Sequence, residues 1–90
     1  MRFSWDRNKA NRRKHGVSFD EASQVFLDPN RIEAYDDRHD EPRWFVVGTG
    51  TGMVLAVVYA LQDEESEVIR LISARRANAQ ERRTYREFRT

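Results

Sequence analysis

The sequence predicts an α+β domain, and three observations carry that expectation. Three runs rich in β-branched and aromatic residues, Arg43 to Gly48, Met53 to Ala60 and Glu67 to Ala74, follow one another through short connections. Helix-start patterns stand before and after this block but not inside it, at Ser18 to Glu21 and at Asn78 to Glu81. Ninety residues with 39% hydrophobic side chains suffice for one modest core, so residues 1–90 are expected to form a single domain. Consecutive strands with tight links make an antiparallel meander. The expected architecture is three to four strands with two N-terminal helices and one C-terminal helix, one sheet face being covered and the other open.

In chain order, "RFSW" (Arg2 to Trp5) alternates polar and apolar residues and reads as a short first strand. A polar helix is expected from Asp6, an acceptable N-cap, to His15, with Gly16 in the left-handed position that ends helices. Ser18 and Glu21 form a capping box, and Val17 with Ala22 a hydrophobic staple, so a second helix should run from Phe19 to Leu27. Phe19, Ala22, Val25 and Phe26 fall on one helical face, and Asp28-Pro29-Asn30 is a stop signal. "RIEAY" (Arg31 to Tyr35) is a weaker strand. The glycine-rich "GTGTG" (Gly48 to Gly52) should close a hairpin and the acidic "QDEESE" (Gln62 to Glu67) the next one. The last helix should begin near Asn78 and reach Arg89.

The same residues exclude several classes. With no cysteine there is neither a disulfide framework nor a zinc-thiolate site, and two histidines, His15 and His39, are too few for a histidine-only metal site. The N-terminus lacks an apolar leader core, and the longest apolar run, Met53 to Leu61, is too short to span a bilayer, so a cytoplasmic protein is expected. The chain contains no GxxxxGK[ST], HExxH, CxxC or GxSxG motif. "DDRHDE" (Asp36 to Glu41) offers carboxylates to a cation but reads more simply as an exposed acidic loop.

The net charge of +1 hides a segregation: residues 1–27 carry +3, residues 28–67 carry −7 and residues 68–90 carry +5. Basic ends around an acidic middle suit an anionic partner or an ordinary solvated surface. The sharpest candidate is the junction where the last strand meets the last helix. Strict alternation puts Val68, Arg70, Ile72 and Ala74 on one face and Ile69, Leu71, Ser73 and Arg75 on the other, one arginine to each. An arginine keeps its charge, so Arg70 and Arg75 are either presented to phosphate or paired with an acidic neighbour. Arg76 lies at the exit toward the helix. On that helix Ala77, Glu81, Tyr85 and Phe88 share a stripe, and Arg82, Arg86 and Arg89 another, most simply a solvated face. Glu81 is a capping residue or a buried acid. Tyr85 is a core aromatic, a proton donor or a stacking surface. His15 closes the cationic "RRKHG" (Arg12 to Gly16), which the helix dipole favours, yet histidine is also a residue type suited to proton transfer.

Taken together, these residues resemble a known family. Trp5-Asp6, Lys9, Asn11, Lys14-His15-Gly16-Val17 and Phe19 are followed by Arg43-Trp44 and Gly48, then by "RLISARRA" (Arg70 to Ala77), Glu81-Arg82 and Tyr85. In that order and spacing the pattern is similar to the BrnT toxins of bacterial type II toxin–antitoxin systems. The resemblance implies a RelE-like fold, with helices on one side of an antiparallel sheet, and a metal-independent endoribonuclease that slows growth when freed of its antitoxin. It implies no cofactor. The implied partners are an RNA substrate and a BrnA-like ribbon-helix-helix antitoxin in a hetero-oligomer, which reaches operator DNA through the antitoxin; no membrane is involved.

On this reading Arg75 meets transition-state charge and Lys14, His15 and Tyr85 serve proton transfer or orientation. Arg43, Arg70 and Arg76 are RNA contacts, and Trp44 is a base-stacking surface. The competing expectation is a non-catalytic nucleic-acid or protein-binding module whose basic ends contact phosphate or an acidic partner.

Overall fold

The computed structural model describes residues 2–6, 15–38, 40–63, 65 and 67–88. Five strands form one mixed sheet: β1 (Arg2–Trp5), β2 (Ile32–Asp36), β3 (Arg43–Gly50), β4 (Met53–Asp63) and β5 (Val68–Arg76), in the spatial order β1-β5-β4-β3-β2. The helices are α1 (Phe19–Ser23), continued by a 3₁₀ turn (Gln24–Leu27), and α2 (Ala79–Phe88). The expected α+β class and the meander from β2 to β5 are present. The helix expected over Asp6 to His15 lies mostly outside the described residues; His15 itself has helical backbone and Gly16 follows at φ 75°.

Three features differ from the sequence expectation. The sheet has five strands and is mixed, because β1 pairs in parallel with β5, from Arg2 opposite Val68 to Trp5 opposite Leu71. The strands also run longer than their apolar cores: β4 reaches Asp63, and β5 carries both Arg75 and Arg76. Cross-strand hydrogen bonding holds polar residues in extended backbone wherever the neighbouring strand continues. Finally, the two described helices lie on opposite faces rather than on one side. α1 and its 3₁₀ turn bury Phe19, Ala22, Val25 and Phe26 with Val46, Leu55, Val57, Tyr59, Ile69 and Leu71. α2 seats Tyr85 with Val47, Ala56 and Ala77 on the other face.

Local chemistry explains the elements. The Ser18 side chain accepts the Glu21 N–H at 3.1 Å and starts α1, and Val17 and Ala22, the expected staple, are both fully buried. The β3–β4 hairpin closes through Thr51 and Gly52, at φ 53° and 82°, the paired positive angles of a two-residue turn whose twist matches the strands. Only a Gly at position 48 lets the 3₁₀ turn approach β3. A Cβ there would stand 2.9 Å from Val25 Cγ1 and 3.1 Å from Arg31 Cβ. Gly48→Ala is expected to lower stability by about 1–3 kcal/mol through overpacking, read as a lower urea midpoint at unchanged m-value.

Among the described residues no helix is long and apolar enough to cross a membrane.

Candidate functional site

The face under α1 is filled by side chains, whereas α2 covers only part of the other. β5 decides what that second face presents. Val58 pairs with Ser73 but Tyr59 pairs with Leu71, so Ile72 is an extra residue in β5, a β-bulge. Strict alternation would put Arg70 and Arg75 on opposite faces. The bulge shifts the alternation by one, so Ile69, Leu71 and Ala74 all enter the α1-side core, while Arg70, Ser73 and Arg75 share the open face. Paired strand residues lie on the same side of a sheet. Arg75 therefore sits beside Ala56, Ser73 beside Val58, and Val58 beside Phe45. Arg43, two residues before Phe45, points the same way. The structure thus gathers Arg43, Arg70 and Arg75 on one surface.

Arg75 is held from two directions. Its Nη1 donates to Glu81 Oε1 at 2.8 Å and its Nη2 to Glu81 Oε2 at 2.9 Å, while Nη1 also donates to the Arg76 carbonyl at 3.3 Å. The guanidinium carbon lies 5.9 Å from the centre of the Phe45 ring. Hydrogen bonding to Arg75 is the main reason the Glu81 carboxyl titrates below its ordinary value, against burial, and the same bonds raise Arg75. Glu81 also accepts the Asn78 N–H at 2.9 Å, and Asn78 Oδ1 accepts the Glu81 N–H at 2.8 Å. The capping box read from the sequence therefore holds the acid that orients Arg75. A guanidinium has five N–H donors; among the described residues the three bonds above leave the Nε–H and one Nη2 hydrogen for another acceptor. With 39% of its side chain exposed, Arg75 is reachable from solvent.

Arg70 is ion-paired with Glu41 and lines a cleft of about 570 Å³ with Ser4 and Gln62. Arg43 differs: its Nε is buried and has no hydrogen-bond partner among the described residues. It lines a cleft of about 640 Å³ together with Ala34, Tyr35, Asp36, Trp44, Phe45 and Val58. A third cleft of about 360 Å³ runs from Phe45 and Ala34 to Glu81 and Thr84 of α2. Phe45, half-buried, borders both.

The remaining sequence candidates fall elsewhere. Trp44 lies on the α1 side, its ring parallel to Tyr59 at 6.4 Å and tilted against Tyr35 at 5.0 Å. Tyr59 is itself fixed by donating to Glu33 at 3.0 Å, and burial, then that carboxylate, push its hydroxyl pKa upward. Arg76 is exposed and points away from Arg75. His15 precedes the buried Val17, and among the described residues no hydrogen bond or ion pair joins it to the three arginines. Lys14 lies outside the described residues.

Tyr85 is 4% exposed. Its hydroxyl donates to Asp28 Oδ2 at 2.5 Å and lies 3.0 Å from Thr49 Oγ1. Asp28 also accepts the backbone N–H groups of Thr49 at 2.8 Å and Asn30 at 2.9 Å. β2 starts at Ile32 opposite Val47, so Asp28 takes the edge N–H of β3 beyond the end of its partner strand. Burial alone would raise the Asp28 pKa, but the Tyr85 hydroxyl, the two N–H groups and nearby Arg31 together hold it below 3.8. From the sequence, Asp28 is only part of a helix-stop signal. Its clamp needs two residues 21 and 57 positions away, which no local pattern reveals. Phe45 was likewise open to strand alternation in "RWFVVG", but Trp44 is the more conspicuous aromatic.

A family model described as "Ribonuclease toxin, BrnT, of type II toxin-antitoxin system" matches residues 5–81. No curated protein matches the chain.

Proposed function

The chain belongs to the BrnT family of type II toxin–antitoxin ribonuclease toxins, and from that premise we propose that it cleaves RNA on its open sheet face without a metal ion. On this reading it slows translation and growth on a RelE-like scaffold, and a BrnA-like ribbon-helix-helix antitoxin silences it in a hetero-oligomer that represses its own operon. The observation that supports the reading most is the placement of Arg43, Arg70 and Arg75 on the same open face, which for Arg70 and Arg75 follows from the bulge at Ile72.

The chemistry asks little of a protein. The substrate's own 2′-hydroxyl is the nucleophile, so the enzyme must position the backbone, move two protons and stabilise the added charge on phosphorus. Arg75, oriented by Glu81, offers its two remaining N–H donors to a phosphoryl oxygen. Arg70 and Arg43 hold the flanking backbone, and Arg76 adds charge at the strand end. We assign proton transfer to Lys14 and His15. Tyr85, with its hydroxyl committed to Asp28 and Thr49, serves by seating α2, and through α2 Glu81.

The existing ion pairs of Arg70 and Arg75 favour one second reading, a binding module in which neither arginine does chemistry. Purified protein with a defined RNA separates the two. Catalysis predicts multiple turnovers in EDTA; a binding module predicts a salt-sensitive mobility shift and intact RNA. In cells, inducible expression should arrest growth and yield mapped RNA ends, and co-expression of a ribbon-helix-helix protein encoded next to this gene should reverse both.

A further inference from the structure

We propose that Phe45 is the stacking platform for one base of the RNA, seated in the 640 Å³ cleft between Arg43 and the ring; this rests on the open face being the RNA surface. Residue parity decides between the two adjacent aromatics. Trp44 stacks against Tyr59 and Tyr35 on the α1 side, and with Tyr35 it reaches only the rim of the same cleft. Phe45 stands on the arginine face, anchored below by the Val47, Ala56 and Tyr85 cluster, and its ring borders a cleft on each side.

The surroundings suit a base better than an aliphatic side chain. Ala34 and Val58 beside Phe45 keep the floor low, while Arg43 and the exposed Arg38–Asp36 ion pair, whose two bonds a base edge would have to share, make the walls polar. Arg43 also brings a guanidinium whose buried Nε has no hydrogen-bond partner among the described residues. The Arg75 guanidinium lies over the same ring, 5.9 Å from its centre, so a phosphate-binding group holds one face of Phe45 and the base takes the other. An aromatic flanked by arginines on an open sheet is sequence-tolerant for the base and selective for a single strand.

The test uses a 2′-O-methylated hexanucleotide, which cannot be cut, so binding is read whether or not the protein is a nuclease. Phe45→Leu keeps the apolar anchor, and Phe45→Trp keeps the aromatic face. Folding of each is checked by circular dichroism and urea midpoint. Phe45→Leu is expected to weaken binding about tenfold, with Phe45→Trp within about twofold of wild type. Binding by Phe45→Leu equal to wild type overturns the proposal, as does Trp44→Leu weakening binding where Phe45→Leu does not. If Phe45→Leu leaves hexanucleotide binding intact but destroys neutralisation by the antitoxin, the platform belongs to the protein partner and the proposal falls. If binding depends on Phe45 while unmodified RNA is never cut by wild type, the platform stands and the catalytic reading falls.

Discussion

Arg75→Ala is expected to lower the rate of RNA cleavage by about 10²- to 10³-fold, the range seen when one preorganised donor to transition-state charge is removed. The rate is read from end-mapped cleavage of a defined RNA by purified protein, and from growth after induction without antitoxin. The fold should survive, because Arg75 is half-exposed at a strand end and Glu81 keeps its capping bond to Asn78. Arg75→Lys retains charge but lacks the planar fork that Glu81 grips at both oxygens, so it should recover only part of the rate. A folded Arg75→Ala protein that cuts at the wild-type rate would make the Arg75–Glu81 pair purely structural.

Asp28→Ala is expected to have the largest effect on stability, a loss of about 2–4 kcal/mol at neutral pH. It removes the acceptor of three donors at once, from Tyr85, Thr49 and Asn30, and separates elements packed on opposite sheet faces. Against a total of about 5–15 kcal/mol for a small domain, that is a serious fraction. Tyr85→Phe should cost about 1–2 kcal/mol, and a double-mutant cycle should show the two changes to be strongly non-additive. The pH dependence follows from the direction of the shift. The folded-state pKa of Asp28 lies below its ordinary 3.8, so the unfolded chain takes up the proton first. The stabilisation is complete well above pH 3.8 and is lost as pH falls through the folded value; Glu81, also depressed, acts in the same direction. Urea midpoints measured between pH 7 and pH 2.5 should therefore fall on the acid side, and Asp28→Asn should flatten that fall while starting lower. An unchanged acid limb in Asp28→Asn would mean that other carboxylates govern it.

If Asp28 secures α2, its loss should also reduce cleavage, because α2 carries the glutamate that orients Arg75. The two variants are distinguished by temperature. Activity of Asp28→Ala should recover on cooling as the folded population rises, whereas that of Arg75→Ala should not.

Much of the molecule was legible from local pattern. The alternating and β-branched runs placed β1, β3, β4 and β5, and the weaker Arg31 to Tyr35 run anticipated β2. The Asn78–Glu81 box forms with both of its bonds, and in the Ser18–Glu21 box the Glu21 N–H bond forms while the carboxylate reaches back to the Ser18 hydroxyl, because each needs only residues three apart. The order of motifs from Trp5 to Tyr85 pointed to the family. These are short-range properties: dihedral preference, side-chain period and i to i+3 hydrogen bonds are written within a few residues of one another.

Only the tertiary structure decided which residues meet. Nothing in "IRLISARR" marks Ile72 as the extra residue in β5; the bulge exists because β4 and β5 must each fill the α1-side core, Tyr59 opposite Leu71 and Val57 opposite Ala74. That one-residue slip puts two arginines expected on opposite faces onto the same one. β1 joins the sheet in parallel at the free edge of β5, Tyr85 finds Asp28 across 57 residues, and Trp44 turns inward while Phe45 turns out. The sequence by itself determined the strands, the caps and the family; the side of the sheet on which each charge and each ring stands was left to long-range packing, because period-two alternation is reset by a single bulged residue.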